Sequence, residues 1–115
     1  MAVATSITVS GTVTGLPEGS NTLAFTYTNS NAPGSRQLLN LTSTLVAVTI
    51  PSNTLFIVIV PPAANTEPLE IAGDNVAGVK LHPTNPTILP VPSTSPVLYL
   101  GTVTSSVNSV QLYFI

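Results

Sequence analysis

Residues of opposite character alternate along this chain with a period of two, and prolines interrupt the alternation before it grows long. Ile7, Val9 and Val13 share one parity with Gly11 and Gly15, while Thr8, Ser10, Thr12 and Thr14 hold the other. Successive side chains of an extended strand point to opposite faces, so this pattern predicts a half-buried strand with a threonine-rich outer face. Leu23, Phe25 and Tyr27 repeat it after the turn-forming segment Leu16-Pro17-Glu18-Gly19-Ser20-Asn21. No stretch carries the apolar stripe of an amphipathic helix. With eleven prolines and seven glycines in 115 residues, the expected fold is all-β. It is an antiparallel β-sandwich, jelly-roll-like, of about eight or nine short strands, in a single domain over 1-115.

The rest of the chain reads the same way. Asn29 to Ser35, which contains Pro33-Gly34, is expected to be a surface loop. Val46, Val48 and Ile50 alternate up to Pro51, and Leu55 to Val60 is a continuous apolar run stopped by Pro61-Pro62. Such a run predicts a central strand covered on both faces. Shorter strands are expected at Leu69–Ile71, Val76–Leu81 and Ile88–Val91, with Val97–Leu100 and Val107–Ile115 closing the chain. In the last, Val110, Leu112 and Phe114 alternate with Gln111 and Tyr113. That places Phe114 in the core and Tyr113 outside, as the candidate oligomer contact. The ending Tyr113-Phe114-Ile115 suits a strand held in a sheet or a subunit interface.

Composition removes several classes of function. Only 5% of residues are charged, and two cations against four acids cannot neutralise a run of phosphates, so no nucleic acid is expected as partner. Without cysteine there are no disulfides, thiolate metal sites or thiol nucleophiles. The longest apolar run falls far short of a membrane-spanning helix, and the start of the chain has neither the cations nor the apolar stretch of a signal peptide. Neither a membrane nor a leader is expected.

Candidate chemistry is thin. His82 is the only histidine, Asp74 the only aspartate that could orient it, and no Gly-x-Ser-x-Gly elbow frames a serine. Glu67, Glu70 and Asp74 fall close together with Asn65 and Asn75, and loop oxygens of this kind can hold calcium. The pattern of a calcium loop is missing and Lys80 is near, so a solvated hairpin tip is the simpler reading. Glu67 and Glu70 could pair for glycoside hydrolysis, but Tyr27, Tyr99, Tyr113 and three phenylalanines look too scattered to line its cleft. The same tyrosines leave a glycan-binding role open. Asn40-Leu41-Thr42 matches a glycosylation acceptor and is read as unused. No catalytic residue, metal or cofactor is expected.

What remains is the surface. Exposed positions must be filled by threonine, serine, asparagine and proline, and such a face is cheap to desolvate when its hydroxyls find partners. Proteins that live in an assembly can do without charge. At Val58-Ile59-Val60-Pro61-Pro62, Ile71-Ala72-Gly73-Asp74, Gly78-Val79-Lys80-Leu81-His82-Pro83 and the closing Val107–Ile115 segment, the chain resembles small virion structural proteins of tailed bacteriophages, capsid decoration (cement) proteins above all. The resemblance implies a non-enzymatic homo-oligomer, a trimer by preference, that is made in the host cytoplasm and binds the major capsid protein on the outer capsid surface of the virion. Phage tail or fibre modules share the same look.

Overall fold

β-Branched residues and aromatics fit a pleated surface, and here they build ten strands joined by proline, glycine and asparagine turns. The computed structural model describes residues 3–15, 17–19, 21–73, 76, 78–91 and 97–115. The strands are β1 (Val3–Val13), β2 (Asn21–Ala32), β3 (Ser35–Leu41), β4 (Val46–Val48), β5 (Phe56–Val60), β6 (Leu69–Ala72), β7 (Val79–Lys80), β8 (Thr87–Pro90), β9 (Leu98–Thr102) and β10 (Val107–Phe114). No helix is present among the described residues, and the protein is all-β.

Eight strands form the body. One sheet has the order β3-β10-β5-β8 and the other β4-β9-β6-β7, and every pairing is antiparallel. The inward residues of both sheets share one core: Leu41, Ile57, Ile59, Leu69, Leu98, Leu100, Val107, Val110, Leu112 and Phe114. Truncating one of these to alanine should cost about 2–5 kcal/mol. The end of the chain is tied in, since the carbonyl of Ile115 accepts from the N–H groups of Leu55 and Phe56 at 2.8 and 2.7 Å. Gly101 is needed for close approach. The segment after β3 crosses it, and a Cβ there would lie 3.1 Å from Leu45 Cδ2 and 3.2 Å from the Thr42 carbonyl oxygen.

Three expectations change. β1 and β2 do not contribute to the body. They pair only with each other, in a register running from Val3↔Ala32 to Val13↔Asn21, and form a separate two-stranded sheet. Alternation correctly gives this hairpin two faces, but it cannot say what covers the apolar one, and Val13, Phe25 and Tyr27 are exposed. The radius of gyration of 15.4 Å exceeds the ~13.4 Å of a compact chain this long, as a projecting arm requires. Second, Asn29–Ala32 is strand, not surface loop, and both Asn29 and Ala32 are buried. Third, β5 is central in its sheet, but only Ile57 and Ile59 are buried, and Phe56, Val58 and Val60 are half-exposed.

Candidate functional site

The polar residues of the loops fasten the chain to itself. Glu67 Oε1 accepts from the Ser105 N–H at 2.8 Å, the Thr104 hydroxyl at 2.9 Å and the Thr104 N–H. The Ser105 and Thr104 N–H groups hold the Glu67 carboxyl below the usual glutamate range. Asn65 Nδ2 donates to the carbonyls of Glu67 and Pro83, and its Oδ1 accepts the Glu67 N–H. Glu70 Oε1 accepts the Gly78 N–H at 3.0 Å. A carboxylate oxygen surrounded by donors is poorly placed to ligate a cation, and no group of three metal-ligating side chains forms among the described residues. Asp74 and Asn75 lie outside the described residues.

His82 is exposed, and its Nδ1 accepts the N–H groups of Thr84 and Asn85 at 3.1 and 3.0 Å. That nitrogen closes a turn between prolines. Asn40 Oδ1 accepts the Ser109 N–H at 3.0 Å, where Ser109 has φ of 62° and β10 bulges against β3. None of these residues opens onto a cleft that joins them.

The apolar residues left outside the core are more informative. Strand parity puts Phe56, Val58 and Val60 of β5 on the outer face of the first sheet, paired with Tyr113, Gln111, Ile88 and Pro90. Leu38 and Arg36 of β3 complete the row beside Gln111 and Tyr113. Leu38 is 58% exposed. Phe114 is in the core at 3% exposure, and Tyr113 occupies the opposite face, half-buried. Its hydroxyl donates to Gln111 Oε1 at 2.6 Å, which satisfies its polar end.

The hairpin continues this surface. Its cross-strand pairs sort by parity into Ile7/Tyr27 and Val9/Phe25 on one face, and Ser6/Thr28, Thr8/Thr26, Ser10/Ala24 and Thr12/Thr22 on the other. Tyr27 meets Phe56 edge-on, with ring centroids 4.2 Å apart. At the base Asn29 Nδ2 donates to the Asn53 carbonyl at 2.8 Å. Phe25, Tyr27 and Phe56 therefore gather, although the sequence suggested scattered aromatics. An apolar strip runs from the outer face of the first sheet onto the arm. Tyr99 lies apart on the second sheet, between Ala47 and Ala72.

The chain matches no protein-family model, no curated protein and no solved structure. Its surfaces have to be read from their own chemistry. A second feature is an apolar cleft of about 310 Å³ between the sheets, lined by side chains such as Ile50, Ile71, Val79, Leu89 and Val97. Ligand sites add a few placed polar groups to such a lining, and among the described residues this one has no polar side chain. The arm and the outer sheet face are the stronger candidate site.

Proposed function

We propose that this chain is a non-enzymatic virion structural protein, a capsid decoration protein that works by contact. The observation that carries the reading is the apolar strip that leaves the body and runs along a projecting hairpin. A monomer gains nothing from holding Phe25, Val13 and Leu38 in water, whereas an assembly covers them. The strand order supports a jelly-roll sandwich: counted from β3, the eight body strands run 1-8-3-6 in one sheet and 2-7-4-5 in the other, the arrangement of two interleaved Greek keys. Viral capsid domains use that architecture, and so do lectins, so the fold argues here by analogy only.

In this reading a homo-oligomer, expected to be a trimer, sits on the outer capsid surface and bridges neighbouring copies of the major capsid protein. Several modest contacts held at once give high avidity. Tyr113, on the outer face, is the candidate oligomer contact. A glycan-binding role draws on the exposed Phe25 and Tyr27 rings, but their neighbours Ile7 and Val9 offer no partner for sugar hydroxyls.

The test is light scattering of the purified protein, followed by incubation with capsids of the virus that encodes it. Wild-type protein should be oligomeric and co-sediment with the capsids. Tyr113→Asp should stay folded by circular dichroism and lose the oligomer. A monomer at high micromolar concentration that ignores capsids overturns the reading, and a glycan array becomes the next experiment.

A further inference from the structure

We infer that the hairpin arm of one copy lies across the outer face of the first sheet of the next copy, so that each copy gives one arm and receives another in a closed ring. The inference rests on the homo-oligomer part of the reading above and names the two surfaces that meet.

Three observations select a second copy as the occupant. The chemistry of the surfaces matches: the exposed Phe25 shares the arm's apolar face with the half-buried Ile7 and Val9, and the exposed Leu38 shares the outer sheet face with the half-buried Val58 and Ile88. The sheet face carries Arg36, Gln111 and Tyr113 on β3 and β10, but β5 and β8 present only apolar side chains there, and the Tyr113 hydroxyl already donates to Gln111.

The dimensions match as well. From Ile7 to Val13 the arm's apolar face is about 20 Å long, and a four-stranded sheet is about 19 Å across. Sheets pack either aligned or near-perpendicular, and the perpendicular arrangement lets the arm cross all four strands.

Charge supplies the third observation. Glu18 stands exposed at the turn of the arm, and Arg36 stands exposed on β3 beside Tyr113. Neither has an ion-pair partner among the described residues. An arm that enters over β8 and ends at β3 brings Glu18 of one copy to Arg36 of the next. These opposite charges lie on the two surfaces that the apolar match has already paired.

Area explains why the ring closes. The arm from Thr5 to Val13 is about 27 Å long and about 10 Å wide, so one arm contact buries on the order of 550 Å², both copies counted. Stable interfaces start near ~1,200 Å². A copy holding a single contact falls well short, and a copy holding two comes close. Head-to-tail contacts of this kind form rings when the rotation closes.

The absence of cysteine makes the test clean. The double variant Glu18→Cys with Arg36→Cys, oxidised as the full chain, should give 18–36 bridges between copies and a covalent species that stops at one size on a non-reducing gel. Single-cysteine controls report the 18–18 and 36–36 background. Phe25→Asp should reduce the mass in light scattering to that of a monomer, with an unchanged circular dichroism spectrum. The inference is overturned if 18–36 bridges do not exceed the background, or if Phe25→Asp keeps the wild-type mass. A wild-type monomer at high micromolar concentration removes both this inference and the homo-oligomer. A bridged ring that does not bind capsids leaves the inference standing and removes the decoration reading.

Discussion

At Glu67 one carboxylate oxygen accepts two backbone N–H groups and a hydroxyl from the turn after β9. Hydrogen bonds to an ionised acceptor are stronger than neutral ones, and they hold the carboxyl below its ordinary value of about 4.3. A depressed folded value means the stabilisation is full above the unfolded pKa and is lost as pH falls through the folded one. The melting temperature should therefore drop below about pH 4, and Glu67→Gln should flatten that acid limb in thermal melts. A variant with the wild-type acid limb would deny Glu67 this role. This fastening is illegible in the sequence, because its partners lie 37 and 38 residues away. Thr102 shows the opposite condition. It is fully buried, and its hydroxyl has no partner among the described residues. Leaving such a group unsatisfied costs at least about 1 kcal/mol, so the near-isosteric Thr102→Val should raise the melting temperature by roughly 4–8 °C or more. An unchanged or lower value in calorimetry would count against an unpaired hydroxyl.

The strands show what a period of two can and cannot say. It places Val110, Leu112 and Phe114 against the core and Tyr113 opposite, because parity alone decides that. It does not separate β1 and β2 from the body, since an arm facing a neighbour and a strand facing its own core carry the same alternation. The continuous run at β5 has the same ambiguity: apolar residues on both faces imply contact on both, and the second contact need not be within the chain. An isolated two-stranded hairpin is marginal in water, so the arm depends on its base. There Asn29, buried to 6% exposure, donates to the Asn53 carbonyl, and Tyr27 meets Phe56. Asn29→Ala removes the donor and leaves that carbonyl unmatched, at a local cost of about 1–2 kcal/mol. Amide exchange in β1 and β2 should quicken about tenfold, with β5 and β10 unchanged. Equal acceleration throughout would make Asn29 a support of the whole body instead.

At the scale of the whole molecule, the few charges decide how the protein responds to its solvent. Only 5% of residues are charged, so contacts between copies are dominated by apolar area, which sulfate strengthens and sodium chloride screens little. An oligomer held this way should persist in 1 M sodium chloride and tighten in ammonium sulfate, with only the Glu18–Arg36 pair losing its small share to screening. Stability is then linked to concentration, because a partner that binds only the folded state stabilises it by mass action. The melting temperature of the wild-type protein should climb with concentration across the range where light scattering reports association. In Tyr113→Asp, where the contact would have to desolvate a carboxylate that competes with Glu18 for the Arg36 opposite it, it should be lower and independent of concentration. A wild-type melting temperature that stays constant over a hundredfold range in concentration would mean that the exposed strip from Phe56 to Phe25 is not covered by another copy.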